Sequence, residues 1–144
     1  MSEDPYRLQR FVGAQAGGVY EQAIAELRAG RKRSHWMWFV FPQVSGLGRS
    51  DISARYAIGS LAEARAYVEH PVLGPRLRAC AAAARDFTGT PEELVGPIDE
   101  EKLRSSMTLF EAAAPDEPVF GEVLDRHFNG SRCGHTEKFV AQHP

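Results

Sequence analysis

The sequence has little of what many functional classes require. It contains two cysteines, Cys80 and Cys133, in 144 residues, too few for a disulfide framework. No apolar run approaches the ~20 residues needed to span a bilayer. The opening MSEDPYRLQRF is charged throughout and does not read as a signal peptide. The net charge is -2, without the basic balance of a dedicated nucleic-acid binder. No G-x-S-x-G elbow, H-E-x-x-H pair or P-loop occurs. Cys133 and His135 offer two ligands where a structural metal site needs four. These absences lead us to expect a cytoplasmic protein with reduced thiols, no membrane partner, no metal and no cofactor.

What is present reads as one mainly α domain over residues 1–144, with 1–5 and 131–144 at its periphery. Hydrophobic residues make up 43% and charged residues 25%, enough to build a core without staples. Gly and Pro punctuate the chain at short intervals and divide it into about eight short helices. The first is expected over 4–15, with Asp4 as cap and Pro5 at the first helical position. Tyr20, Ala23, Ile24 and Leu27 define a second over 19–29, ended by Gly30. Ser50 or Asp51 caps a short helix reaching residue 58. Ser60 with Glu63, and Thr90 with Glu93, match capping boxes. Further helices are expected over 71–87, 99–114 and 118–128, the last closed by Asn129-Gly130. In the polar tail only a turn near Thr136 is expected.

The segment Ser34 to Gln43 has no amphipathic period. Both tryptophans of the chain, Trp36 and Trp38, lie in it. A continuous apolar run is either a buried strand or a buried irregular segment, and periodicity does not separate them. Aromatic and β-branched content favours an extended chain. Trp36, Trp38 and Val40 would then face one side, and His35, Met37, Phe39 and Phe41 the other. One set would build the core and the other would face a flat, partly polar ligand such as a nucleobase. Gln43 ends the run, and Tyr56 is counted with its ligand-side aromatics.

Three polar features flank that segment. Gly46 and Gly48 would let backbone N–H groups approach an anion, with Ser50 adding a hydroxyl, although an ordinary tight loop explains them equally. Arg28, Arg31, Lys32 and Arg33 could hold phosphate or simply complement a helix C-terminus. Lys32 and Arg33, next to the aromatics, are the pair we assign to a ligand. In DEEKLRSSMTLF, Asp99, Lys102 and Ser106 share a helical stripe beside Ser105 and Thr108. Three hydroxyls in four residues weaken a helix, so they either wall a polar pocket or bond back to helix carbonyls.

LQRFVGAQ, AGRKRSHWMWFVFPQVSGLGRS, YAIGSLAEARAYVEHPVLGPRL and KLRSSMTLFEAAAPDEPVF resemble domain-of-unknown-function family 1810, small bacterial proteins sometimes labelled calpastatin. The resemblance runs from about Tyr6 to Asn129. Where that family tends to carry an acidic residue after the glycine turn, this chain has Ser131-Arg132-Cys133-Gly134. The order of an early helix, an aromatic segment and a late Lys-bearing helix is also similar to the NADAR proteins, helical domains linked to NAD and ADP-ribose chemistry. That likeness implies a nucleotide-binding hydrolase that cleaves an N-glycosidic bond in an ADP-ribose-like ligand. Nucleic acid would then enter only as a modified substrate. Lys102 or Lys32 would trap the opened sugar, and Asp99 or Glu101 would move protons. A non-catalytic nucleotide-sensing module would use the same pocket without a reactive lysine. A protein–protein adaptor would instead use Trp36 and Trp38 as interface anchors. The oligomeric state is left open.

Overall fold

A computed structural model describes residues 4–144. Among these, ten helices follow one another: α1 (Gln9–Ala14), α2 (Val19–Arg28), α3 (Met37–Val40), α4 (Asp51–Arg55), α5 (Leu61–Glu69), α6 (Leu73–Asp86), α7 (Pro91–Val95), α8 (Glu100–Ala113), α9 (Pro118–Phe128) and α10 (Gly134–Gln142). Among the described residues, no helix is long and apolar enough to cross a membrane.

The helices form because each has a stripe to bury. In α6, Leu73, Leu77, Cys80, Ala81 and Ala84 all lie inward. In α8, Leu103, Met107 and Phe110 do the same, and in α9 Phe120, Val123 and Leu124. The main packing pairs are α6 with α9, α8 with α9, α5 with α8, and α2 with α6. A chain of rings crosses the core, with centroids 5.1 Å apart from Phe11 to Tyr67, 5.3 Å from Tyr67 to Phe110 and 5.9 Å from Phe110 to Phe120. These are attractive tilted and edge geometries. Local signals set the ends. Thr90 and Glu93 form a full capping box, and Ser50 and Ser60 accept from Ser53 N–H and Glu63 N–H. Gly30, at φ 82°, closes α2: its N–H reaches Leu27 O and that of Arg31 reaches Glu26 O, the paired bonds of a left-handed helix stop.

Three expectations need correction. The Trp36–Phe41 run is not extended, since Met37–Val40 forms one helical turn. The strand-type alternation of its side chains therefore does not hold. Asp4 does cap, accepting from Leu8 N–H at 2.7 Å and Gln9 N–H at 2.9 Å, but the helix starts at Gln9, not Asp4. Arg7 at φ 53° turns the chain between them. The helix count rises from eight to ten because α3 and α10 were not foreseen as helices. The tail is more than a turn: α10 packs on α8 and buries Cys133 and Thr136.

Candidate functional site

The site starts from a carboxylate the sequence does not advertise. Glu26, on α2, is buried. Its Oε1 accepts from Arg33 N–H (2.7 Å), Ser34 N–H (3.0 Å) and Trp36 Nε1–H (2.9 Å), and its Oε2 from Ser34 Oγ–H (2.6 Å). Burial alone would raise its pKa, but those four bonds outweigh it and hold the value at about 2. The basic loop is thereby pinned to α2 and the Trp36 indole is drawn into the core at 1% exposure. Lys32 N–H bonds Leu94 O at 2.7 Å, fixing the loop's other side.

One turn later, α3 leaves Trp38 half-buried. The chain then runs through Gln43 into a short parallel bridge between Val44 and Ile58. Gln43 O accepts from Ile58 N–H at 2.8 Å, and Ser45 N–H donates to Ile58 O at 3.1 Å. Gly48 lies so close to the indole that a Cβ there would meet Trp38 Cη2 at 2.8 Å and Ser53 Cβ at 2.5 Å. Glycine is required by that approach, not by backbone angle.

From the far end of the chain, α8 brings the charges. Asp99 accepts an ion pair from Lys32 Nζ at 3.0 Å and another from Lys102 Nζ at 3.0 Å. The three side chains keep 10%, 17% and 18% exposure for Lys32, Asp99 and Lys102. Lys32 Nζ stands 5.3 Å from the Trp36 ring centre and Lys102 Nζ 5.1 Å from that of Trp38, both within cation–π range. Two ammoniums share one carboxylate, so the cluster is left with one positive charge that an anion would complete.

Two hollows meet at Trp38 and Gln43. One, of about 200 Å³, is lined by Trp38, Gln43, Leu47, Ile98, Glu101, Lys102, Ser105 and Cys133. The other, of about 170 Å³, is lined by Trp38, Gln43, Gly46, Gly48, Ser53 and Tyr56 among others. Larger grooves exist, one of about 520 Å³ between α2 and α6 and one of about 670 Å³ beside Gly30 and Glu93. They are open surface troughs; the second is lined by Lys32, but neither contains Trp38, Gln43 or Lys102.

The structure thus brings Trp38, Gln43, Lys102 and Ser105 to one hollow, with Gly46, Gly48 and Tyr56 in the adjoining one; Asp99 and Lys32 line neither and connect to it only through the ion pair of Asp99 with Lys102. It separates others. Trp36 is a buried anchor. Phe39 is core, stacked edge-on to Tyr56 at 5.3 Å. Arg33 and His35 are exposed and line neither hollow. Ser50 caps α4. Ser106 is fully buried, so the polar stripe of α8 is Asp99, Lys102, Ser105 rather than one ending at Ser106. Both readings of the hydroxyls hold in part: Thr108 Oγ1 bonds back to Arg104 O at 2.8 Å, while Ser105 Oγ meets Thr136 Oγ1 at 2.9 Å beside the hollow. Sequence reasoning missed Glu26, Leu47 and Ile98. Leu47 lies between the two glycines already singled out, whereas a buried glutamate on an amphipathic helix gives no signal.

No curated protein matches the chain. It is similar to the conserved hypothetical protein Rv1873 from Mycobacterium tuberculosis, known as a crystal structure, with 49% identity, a TM-score of 0.93, and coverage of 96% of this chain and 99% of that one. The model of the family described as protein of unknown function (DUF1810) matches residues 5–140, and the chain belongs to that family.

Proposed function

We propose that this protein binds a nucleotide-like small molecule of the ADP-ribose type in the hollow between α3 and α8 and hydrolyses its N-glycosidic bond. One observation carries this reading: Trp38 and Gln43 from the early segment share a lined hollow with Lys102 and Ser105 from the late helix. An aromatic plane, an amide and a lysine ammonium in one recess suit a planar base linked to phosphate. The choice of ADP-ribose rests on the resemblance in element order, read from the sequence, to the NADAR proteins. In the reaction, the bond between the anomeric carbon and nitrogen breaks, its electron pair leaves with the nitrogen, and the nitrogen takes a proton. Water supplies the hydroxyl to the carbon. Asp99, or Glu101 at the rim, is the group to take the proton from that water. After losing its own proton, Lys102 or Lys32 can capture the opened sugar's aldehyde as an imine, with release of water.

A second reading, a non-catalytic nucleotide sensor, is favoured by the Asp99 tether. A protonated lysine is not a nucleophile, and Asp99 holds both ammoniums. The adaptor reading fares worse, since Trp36 is buried and cannot act as an interface anchor.

Titration with ADP-ribose, followed by calorimetry and melting, tests the site. At a hundredfold excess over its dissociation constant, a ligand adds about 2.7 kcal/mol, a shift of roughly 5–10 °C for a domain of this size. No heat and no shift at millimolar ligand would end the proposal. Borohydride trapping then separates the readings: an adduct on Lys102 or Lys32 indicates the enzyme, and binding without adduct or turnover the sensor.

A further inference from the structure

Gln43 is 5% exposed, and its Nε2 finds no hydrogen-bond partner among the described residues. Buried amide groups are nearly always hydrogen-bonded, because leaving one unpaired is costly. The residue cannot easily drift away to find a partner, since its carbonyl is tied to Ile58 N–H at 2.8 Å and the next residue forms the parallel bridge. Among the described residues, two other side chains hold a buried atom without a partner, Arg104 at Nε and Ser106 at Oγ. Neither lines the hollows, whereas Gln43 lines both. The hollows also differ in charge. The Tyr56 side contains no ionisable group other than the phenol, and its walls include Trp38, Val44, Ser53 and Ala54. The other side contains Lys102 and Glu101. At about 170 Å³ the uncharged side has room for one ring system and not for a dinucleotide.

We propose that Gln43 is the specificity residue of this site, and that its carboxamide reads a planar ring bearing a donor beside an acceptor, seated on the Tyr56 side, while the anionic part of the same ligand lies toward Lys102. This rests on the nucleotide-like reading above and names which end of the ligand goes where. A glutamine amide offers one donor edge and one acceptor edge, which pair with adjacent N6 and N7 of adenine or with the carboxamide of nicotinamide. Both sources share the required edge.

The test uses calorimetry with three probes: ADP-ribose, which carries adenine; nicotinamide mononucleotide, which carries nicotinamide; and ribose 5-phosphate, which carries no such ring. Gln43→Met should lower affinity for the ring-bearing probe that binds by about 5- to 30-fold and leave ribose 5-phosphate unchanged. Gln43→Glu, which lacks the donor edge, should lose as much. Gln43→Met should melt no lower than the native protein, because it removes an unpaired buried amide. Whichever nucleotide shows the loss identifies the source of the ring. Equal binding of nucleotides by native protein and both variants would overturn the role of Gln43 and leave the site reading standing, with Lys102→Met as the check that binding occurs there. Failure of both nucleotides to bind the native protein would remove the site reading and this inference together.

Discussion

Replacing Glu26 by Gln isolates the anchor on which the site is built. The amide has the shape of the carboxylate, and its oxygen can still accept from Arg33 N–H, Ser34 N–H and Trp36 Nε1–H. The NH2 end, however, faces Ser34 Oγ, which already receives Gln22 Nε2–H at 2.7 Å, so Ser34 must stop donating. The four bonds also lose their charge assistance. Holding a glutamate at about 2 instead of 4.5 corresponds to about 3 kcal/mol of stability. The sign follows from the direction of the shift. The folded pKa is depressed, so the contribution is complete above the ordinary range near 4.5 and is lost as pH falls through about 2. Urea denaturation at pH 7 should therefore find Glu26→Gln about 3 kcal/mol less stable than the native protein. That corresponds to roughly 6–12 °C in melting temperature. The gap should close as the measurements are taken down toward pH 2. A gap that stays the same at both ends of the pH range, or no gap at pH 7, would refute the reasoning.

Two further substitutions and one labelling experiment follow. Gly48→Ala puts a Cβ 2.8 Å from Trp38 Cη2 and 2.5 Å from Ser53 Cβ, an overpacking worth about 1–3 kcal/mol. It should shift tryptophan emission, and an unchanged spectrum with unchanged melting would contradict the close approach. Burial pushes the Cys80 thiol up to about 12, so at pH 8 a thiol reagent should leave it unlabelled in the native protein and modify it only in denaturant. Peptide mass analysis reads this directly, and native-state labelling at the unfolded rate would show that α6 is not packed as described. Lys102→Met retains a long apolar stem over Trp38 while removing the charge, so ADP-ribose affinity should fall about tenfold or more with little change in melting temperature.

Much of the fold was legible because its causes are local. The stripe of α6 from Leu73 to Ala84 and that of α8 from Leu103 to Phe110 repeat at helical spacing, and their burial follows from period alone. Ser50, Ser60 and Thr90 announced helix starts through chemistry that acts within three residues. Two helices left no such trace. The inward face of α10 is led by Thr136, whose partner is Ser105 rather than an apolar neighbour, so its stretch reads as polar tail. The apolar run at α3 has no period, and what bends it comes from elsewhere in the chain. Glu26 pulls on Ser34 and Trp36 from α2, and Gln15 donates to Phe39 O at 2.7 Å from beyond α1. Such long-range bonds are invisible to a window of neighbouring residues.

The same turn decides what could be read of the site. In a strand, Trp36 and Trp38 share a face. Around a helical turn, two residues are separated by about 200°, and the indoles part company: Trp36 enters the core and Trp38 becomes the wall of a hollow. Their types and spacing single out the segment but assign them the same face, which the helical turn does not allow. Lys32 and Lys102 are each legible as a charge next to something unusual, and Asp99 as the neighbour of Lys102, yet the relation of the two lysines is not, because it depends on Lys32 reaching Asp99 from a distant part of the chain. Asp99 joins Lys32, over the buried indole, to Lys102, over the half-exposed one. The buried tryptophan, its glutamate and the half-buried tryptophan thus form one connected unit. A loss at Glu26 should consequently weaken ligand binding at Trp38 although the two never touch, and the coupling should disappear in Asp99→Asn, where the ionic link between the two lysines is cut.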